Sequence, residues 1–220
     1  MKTKLISNNS KDLILFLTGW GCDDVQFQSM TSSKDVLLCW DYTDLELNFD
    51  FSKYENICLL TYSAGVYVAG LIADKLPKFK LKIAINGNPL MFDEYFGINE
   101  NLINTMYKLN EDNYLQFRKD FLVYNNEEFE YFNNHTSIRT FDSCATELKN
   151  LEEYSKTKFT PIDYDIALLS DNDKIFNPTT QRKYFKASYI ILNNQAHNVF
   201  YKIKTYDDIF NIIENNKNNP

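Results

Sequence analysis

Residues 56–70 limit what this chain can fold into more than any other part of the sequence. A short apolar run ends at the pentapeptide Thr61-Tyr62-Ser63-Ala64-Gly65, and apolar residues at helical spacing follow at once. This pattern predicts a buried strand that turns sharply into a helix, with Ser63 at the turn. Such a turn raises the serine hydroxyl above the sheet edge, where the unpaired N–H groups of the new helix also point. Ser63 is therefore a candidate nucleophile.

The pentapeptide leaves a second interpretation of Ser63 open. Nucleophilic serines at such turns usually stand in the pattern G-x-S-x-G, and Thr61 occupies the place of the first glycine. Serine is also a preferred N-cap, so Ser63 could simply cap the helix that follows. Ala64 and Gly65, in contrast, are as small as the close packing of the turn requires. The choice depends on whether the rest of the chain supplies partners for a nucleophile.

The composition favours one globular domain and argues against nucleic acid as a partner. Of the 220 residues, 44% are hydrophobic and 24% are charged, which is enough apolar material for a sizeable core. The net charge of −7 opposes binding to a phosphate backbone. The chain has no apolar run of membrane-spanning length and no signal peptide pattern, so we expect a cytoplasmic protein that does not contact membranes. The cysteines lack paired spacing, which predicts reduced thiols and neither a disulfide framework nor a metal site: Cys22, Cys39, Cys58 and Cys144.

Runs of strand length alternate with segments of helix length, which predicts an α/β fold with a mostly parallel central sheet and helices on both faces. The predicted strands are 12–18, 36–40, 57–61, 81–86, 164–169 and 188–192, and later helices are predicted at 178–185 and 203–214. Residues 99–158 lack strand-like runs and repeat apolar residues at helical spacing. We therefore predict a core of residues 1–98 and 159–220, with residues 99–158 inserted as a helical lid over the carboxyl edge of the sheet.

The base and the acid of a serine-dependent hydrolytic site are expected late in the chain, each on a loop after a strand. His197 follows the last predicted strand, where the base is expected, whereas His135 lies in the lid segment and is more simply a surface residue. After the preceding strand, Asp171 and Asp173 are both candidate acids. Asp173 is preferred because it occupies the turn before a helix that opens near Pro178, which leaves Asp171 as a turn or capping residue.

Two backbone N–H groups are candidates for an oxyanion hole. Ala64 directly follows the serine, and Trp20 lies between two glycines in the loop after strand 12–18, where backbone can approach a ligand closely. The indole of Trp20 could pack in the core or line a substrate pocket. Serine, aspartate and histidine thus occur in the order and strand context expected of an acyl hydrolase.

Short motifs spread over nearly the whole chain are shared with one family. They are LTGWG (17–21), WDY (40–42), FDFS (49–52), YSAGV (62–66), AINGNP (84–89), FGI (96–98), DKI (173–175) with Gln181, and AH (196–197). On these motifs the chain resembles the BioG-type pimeloyl-[acyl-carrier protein] methyl ester esterases of the α/β-hydrolase superfamily. The resemblance implies a compact sheet that lacks the early strands of larger hydrolases, and an activity that needs no metal or organic cofactor.

The resemblance also implies hydrolysis of the methyl ester of pimeloyl-acyl carrier protein in biotin synthesis. Ser63 would attack the ester carbonyl, His197 would transfer the proton and Asp173 would orient the imidazole. The partner would be an acyl carrier protein that bears a methyl pimeloyl group, with its pantetheine arm passing under the lid. Because acyl carrier proteins are acidic, docking would need basic residues in an acidic lid, and the candidates are Arg118, Lys119 and Arg139.

Two other functions stay open at the level of the sequence. Another acyl hydrolase, such as a small-ester esterase or a thioesterase, could use the same scaffold, since a fold does not fix its substrate. A degenerate hydrolase that only binds a ligand is the non-catalytic alternative. The presence of Ser63, Asp173 and His197 together argues against that second alternative.

Overall fold

A central sheet organises the computed structural model, which describes residues 1–157 and 159–217. Its strands are β1 (Lys2–Ile6), β2 (Asp12–Leu17), β3 (Asp35–Trp40), β4 (Asn56–Tyr62), β5 (Leu81–Ile85), β6 (Ile166–Ser170) and β7 (Tyr189–Leu192). The order across this seven-stranded sheet is β1-β3-β2-β4-β5-β6-β7. All neighbours from β3 to β7 pair in parallel, and β1 pairs antiparallel with β3. The predicted α/β fold with a mostly parallel sheet is confirmed.

The two faces of the sheet bury alternate residues of the same strands, as a strand's period of two requires. In β2, Leu13 and Leu15 pack on one face and Ile14 and Phe16 on the other. The helices α1 (Ala64–Leu71) and α6 (Pro178–Phe185) cover the first face, and α7 (Tyr206–Lys217) covers the second. Burial on both faces explains why these strands appear in the sequence as continuous apolar runs.

The strand β1 is the part of the sheet that the sequence pattern does not predict. Its residues are mostly exposed, and lysines at positions 2 and 4 break any apolar run. The strand is held through backbone pairing with β3, in a register that places Lys2 opposite Trp40 and Ile6 opposite Val36. A charged, exposed strand of this kind is typical of a sheet edge.

Four helices lie between β5 and β6 in the segment predicted as a lid. They are α2 (Glu100–Met106), α3 (Glu111–Phe121), α4 (Asn126–Asn134) and α5 (Phe141–Tyr154). Each begins after a residue whose side chain accepts a backbone N–H of the first turn, namely Asn99, Asn110, Asn125 and Thr140. Asparagines of this segment therefore set the starts of α2, α3 and α4, and a threonine sets that of α5.

The apolar faces of α2, α3 and α5 form a cluster with α1 and with Ile175 and Phe176, beside Ser63. Residue 158, where the predicted lid ends, and residues 218–220 of the predicted core lie outside the described residues. The role of the segment as a lid remains a prediction. Among the described helices, none combines the length and the apolar character needed to span a membrane.

Candidate active site

The backbone at Ser63 adopts a conformation that is rare for residues other than glycine. Its φ and ψ are 54° and −122°, between β4 and α1. The turn is held from both sides, because the Ser63 N–H donates to the Ile85 carbonyl (2.9 Å) and the Ser63 carbonyl accepts from the Val66 N–H (3.0 Å). Close packing also fixes it. A Cβ on Gly65 would lie 2.2 Å from the Leu17 carbonyl oxygen, so only glycine fits there.

Thr61, which occupies the place of the usual first glycine, makes hydrogen bonds that stabilise the turn. Its hydroxyl donates to the Ile83 carbonyl (3.0 Å) and lies 3.1 Å from the Tyr164 hydroxyl. The Tyr164 hydroxyl in turn donates to the Val66 carbonyl in α1 (3.2 Å). The threonine side chain thus links the strand to the helix, and the sharp turn is kept without the glycine.

The side chains of Ser63, His197 and Asp173 meet in one buried, hydrogen-bonded row. The Ser63 Oγ lies 2.9 Å from His197 Nε2, and His197 Nδ1 lies 2.9 Å and 3.0 Å from the two Asp173 carboxylate oxygens. The Ser63 side chain makes no capping hydrogen bond to α1. The carboxylate accepts a hydrogen bond from the Nδ1–H of the ring, and in this tautomer Nε2 accepts one from the serine hydroxyl. The row can therefore move a proton from the hydroxyl to the ring.

The loop between β6 and α6 gives its two aspartates different partners. Asp173 accepts the N–H groups of Ile175 (2.8 Å) and Phe176 (3.0 Å) besides contacting His197. Asp171 instead accepts the N–H groups of Asn194 and Gln195, in the loop that carries the histidine. Burial would raise the pKa of Asp171, but these donors outweigh burial and lower it. The choice of Asp173 over Asp171 agrees with this geometry, and Asp171 holds the histidine loop.

Asn86 is a site residue that the sequence patterns did not single out. It follows β5 with a φ of 43°, and its side-chain amide is buried. Its Nδ2 donates to the His197 carbonyl (2.8 Å) and to Ser170 Oγ (2.8 Å), and its Oδ1 accepts the Ser170 N–H (2.8 Å). The Tyr62 hydroxyl donates to the same His197 carbonyl (3.2 Å). The motif AINGNP thus contains a residue whose side chain holds the backbone of His197.

The loop after β2 runs directly against the serine. A Cβ on Gly19 would lie 3.1 Å from the Ser63 Cβ. Among the described residues, the backbone N–H groups of Trp20 and Ala64 have no hydrogen-bond acceptor. The loop is anchored to α5, since Trp20 Nε1 donates to the Cys144 carbonyl (2.6 Å) and the Gly21 N–H donates to Glu147 Oε2 (2.9 Å). Two free donors therefore lie beside Ser63.

Glu147 is the centre of a buried ion network. Arg139 donates to Glu147 Oε2 (2.8 Å) and to Asp41 Oδ1 (3.0 Å), and the Tyr42 N–H donates to Glu147 Oε1 (2.8 Å). Burial raises the pKa of Glu147, although Arg139 and the N–H donors of Tyr42 and Gly21 oppose that effect. The network ties α5 to the loops after β2 and β3.

The predicted basic surface patch is wrong for two of its three members. Arg139 is buried in the ion network, and Arg118 is only 7% exposed. Lys119 alone is exposed, because neighbouring residues of α3 point to different sides of the helix. A pattern of charges along the sequence does not tell which face of a helix packs inward.

A cavity between the sheet edge and the inserted helices opens onto Ser63 and His197. Much of its wall is apolar, as in Met91, Ile98, Met106, Phe117, Ile175 and Phe200. Trp20 and Arg118 also line it. So does His135, which is half-buried and stacked on Tyr131, whereas the sequence suggested a surface residue. The apolar part of this wall thus offers contacts for an apolar group beside the serine.

The sequence and the structure of this chain were compared with known proteins and match one family over most of their length. Residues 1–209 match the family model described as pimeloyl-ACP methyl esterase BioG. The crystal structure of BioG from Haemophilus influenzae aligns with a TM-score of 0.84 at 30% identity, covering 94% of this chain and 99% of that one.

Two further matches are more distant. A malonyl-[acyl-carrier protein] O-methyltransferase of Bacteroides fragilis is 29% identical over 178 residues, which are 79% of this chain but only 36% of that protein. An alpha/beta hydrolase enzyme from a deep-sea metagenome library aligns with a TM-score of 0.59 at 14% identity, over 95% of this chain and 90% of that one, and this shows the fold alone. From the whole-chain match together with the sheet and the insertion, the chain has the α/β-hydrolase fold and belongs to the BioG family.

Proposed function

We propose that this protein hydrolyses the methyl ester of pimeloyl-[acyl-carrier protein] in biotin synthesis. Ser63 is the proposed nucleophile, His197 the base and Asp173 the acid that orients it. The observation that carries the proposal is the hydrogen-bonded row of these side chains, at the wall of an apolar cavity, in a member of the BioG family. The relative from Bacteroides fragilis, a malonyl-[acyl-carrier protein] O-methyltransferase, supports a carrier-bound substrate for this chain.

In the first half of the proposed reaction, Ser63 Oγ attacks the ester carbonyl while His197 Nε2 takes its proton. Asp173 stabilises the resulting imidazolium through the proton on Nδ1. The negative charge that develops on the carbonyl oxygen is met by the N–H groups of Trp20 and Ala64. The imidazolium then protonates the leaving methoxide, and methanol departs from an acyl-serine ester.

In the second half, water attacks the acyl-serine ester, and His197 Nε2 accepts a proton from that water. The same N–H groups stabilise the second oxyanion. When the intermediate collapses, Ser63 recovers its proton from the imidazolium and the acyl chain leaves with a free carboxylate. No group outside the chain and water is needed to balance this sequence of steps.

The proposal is tested with methyl pimeloyl-acyl carrier protein as the substrate, followed by mass spectrometry of the acyl group. Wild type should release the methyl group and leave the thioester intact, whereas Ser63→Ala should lower kcat by about 10⁴-fold or more. Circular dichroism of Ser63→Ala provides the control for folding. Turnover unchanged by Ser63→Ala would exclude Ser63 as the nucleophile, and faster loss of the thioester would favour the thioesterase alternative.

A growth experiment tests the same proposal in a cell. A biotin-requiring strain that lacks its own methyl ester esterase should grow without biotin when it carries the wild-type chain. The same strain with Ser63→Ala should not grow. Growth with both chains would mean that rescue does not depend on the proposed chemistry, and a small-ester esterase would not rescue at all.

A further inference from the structure

Arg118 is a buried cation in the wall of the cavity that holds Ser63. It lies on α3, and only 7% of its surface is exposed. Aromatic rings flank the guanidinium, whose Cζ lies 4.3 Å from the ring centroid of Phe132 and 5.6 Å from that of Tyr114. These rings fix its plane and stabilise its charge in part. The side chain is therefore held in place at the cavity.

No acidic partner compensates this cation among the residues that the structure describes. The guanidinium has no carboxylate within ion-pair distance there, and its Nη2 is buried without an acceptor. Burial lowers the pKa of Arg118. Arg139 shows the contrast, since it is equally buried but contacts both Asp41 and Glu147. Buried cations are normally paired, so an unpaired one that faces a cavity indicates a partner that comes with a ligand.

Arg118 lines the same cavity as Ser63, one helical turn before a residue that contacts the histidine loop. Leu122, one turn later on the chain, accepts a hydrogen bond from the Asn198 N–H (2.8 Å), beside His197. One helical turn is about 5.4 Å along the axis. The Tyr114 ring contacts both Arg118 and Trp20, with its centroid 5.6 Å from the Arg118 Cζ and 6.3 Å from the centroid of the indole. Arg118 is thus near the oxyanion loop but does not belong to it.

We propose that Arg118 binds an acceptor oxygen at the far end of the acyl chain whose ester is cleaved at Ser63. The inference rests on the proposed function and names the substrate class of that site: acyl esters with a second carbonyl or carboxylate. The fork of N–H donors on a guanidinium fits both kinds of oxygen, while the apolar wall contacts the methylenes between the two ends. The oxygen can belong to the thioester carbonyl of a carrier-bound chain or to the carboxylate of a free half-ester.

The chemistry predicts selection against simple esters. A plain alkanoate methyl ester of equal chain length has no oxygen at its far end. When bound, it would exclude water from the Arg118 guanidinium without accepting a hydrogen bond from it. A site that donates to a substrate oxygen rejects an analogue that lacks this oxygen. We expect wild type to prefer the oxygen-bearing substrates by at least about 10-fold in kcat/KM.

The test compares three methyl esters: monomethyl pimelate, methyl pimeloyl-S-pantetheine and methyl heptanoate. Arg118→Met should lower kcat/KM for the oxygen-bearing esters by ~10- to 100-fold, mainly through KM, and should leave methyl heptanoate almost unchanged. Arg182→Met is the matched control, because Arg182 is an exposed arginine on α6, and all three values should stay as in wild type. Equal losses on all three esters, or no preference in wild type, would overturn the inference. A loss confined to one oxygen-bearing ester would identify the source of the oxygen.

Binding to Ser63→Ala separates the inference from the proposed function. Calorimetry should show monomethyl pimelate or the pantetheine ester bound by Ser63→Ala and weakened ~10-fold or more in Ser63→Ala/Arg118→Met. If wild type hydrolyses none of the esters but this difference in binding holds, the proposed function fails and Arg118 recognition stands. If the esters are hydrolysed and the difference is absent, the inference fails alone.

Thermal unfolding distinguishes a ligand-binding role of Arg118 from a merely structural one. Removing an unpaired buried charge leaves no partner behind, so Arg118→Met should unfold at the same temperature as wild type or higher. Arg139→Met, which leaves the buried carboxylate of Glu147 without its cation, should unfold at a lower temperature. A drop for Arg118→Met as large as that for Arg139→Met would contradict the assignment of Arg118 to ligand binding.

Discussion

Single side chains fix the candidate active site by bonding to the backbone of its loops. Asn86 does this for the histidine, since one amide joins the end of β6 to the His197 carbonyl. Its positive φ is tolerated best by glycine and asparagine, which allows a functional side chain at a position where most residues would be strained. Asn86 therefore meets two requirements: it tolerates the positive φ, and its side-chain amide makes the hydrogen bonds to Ser170 and His197.

We predict that Asn86→Ala lowers both activity and stability. Its loss leaves the Ser170 N–H without an acceptor and one donor to the His197 carbonyl missing, so the free energy of unfolding should fall by about 3 kcal/mol. A displaced imidazole should lower kcat by ~10- to 100-fold with little change in KM. Asn88→Ala is the control. Asn88 is equally buried but bonds to Gln181, so stability should fall while kcat is kept. Equal kcat losses in the two variants would contradict a positioning role.

The lowered pKa of Asp171 predicts how the histidine loop responds to acid. Because the folded-state pKa lies below the ordinary value of 3.8, the charged form stabilises the fold. That stabilisation is complete above pH 3.8 and is lost as the pH falls through the lower folded-state value. Wild type should therefore exceed Asp171→Asn in unfolding free energy near neutral pH, and the gap should shrink on acidification. Urea titrations at several pH values measure it, and a gap that does not change with pH would refute the assignment.

At this scale, the sequence predicted the residues whose chemistry follows from chain order. Ser63, Asp173 and His197 each follow a strand, and the parallel sheet brings such positions to one edge. The burial of Arg118 and Arg139, and the ion pairs of Arg139, could not be predicted, since both depend on which side of its element each residue occupies and on what packs there. Asn86 was visible only as part of a motif, and its side-chain contacts come from the end of β6 and from the histidine loop, both distant in sequence.

The helix α5 joins the inserted segment to loops of the candidate active site. It supplies the acceptors for Trp20 Nε1 and the Gly21 N–H, and Asn150 and Tyr154 both donate to the Thr43 carbonyl. The sequence predicted helices in this segment from apolar spacing. It did not predict that the last helix is bonded to the core, because those bonds are made by polar side chains and backbone groups that leave no periodic pattern.

We predict strong energetic coupling between Glu147 of α5 and Arg139. Glu147→Leu and Arg139→Met each leave the other buried charge without its main partner, so each should lower the free energy of unfolding by about 3–5 kcal/mol. The double variant removes both charges and should lose less than the sum of the single losses. Denaturant titration of the four proteins gives the coupling energy. Strictly additive losses would mean that the ion pair does not contribute as described.

The sheet as a whole has an edge that its first strand protects. β1 covers the backbone of β3, and Lys2 also forms an ion pair with Asp41 (3.1 Å). The parallel strands could be predicted because burial on both faces gives continuous apolar runs. An exposed edge strand needs only backbone pairing, and that requirement leaves little trace in the sequence.

We predict that deletion of residues 1–6 makes the protein less stable and more prone to self-association. The deletion leaves the N–H and C=O groups along one side of β3 unpaired, and such an edge is a template for pairing with another chain. Light scattering and thermal unfolding measure the two effects. The double variant Lys2→Ala/Lys4→Ala keeps the backbone pairing and should behave like the full chain in light scattering. A truncated chain that stays as dispersed and as stable as the full chain would refute the role of β1.

The anchoring of Trp20 and Gly21 on α5 has a consequence for engineering. The proposed nucleophile belongs to the core, but the loop proposed to polarise the carbonyl is bonded to α5, in the same inserted segment as the helices that line the cavity. A transplant of residues 99–157 from another hydrolase would therefore exchange substrate choice and carbonyl activation together. Such a chimaera would need new hydrogen-bond acceptors for Trp20 Nε1 and for the Gly21 N–H. Without them, a new substrate could bind but would not be hydrolysed efficiently.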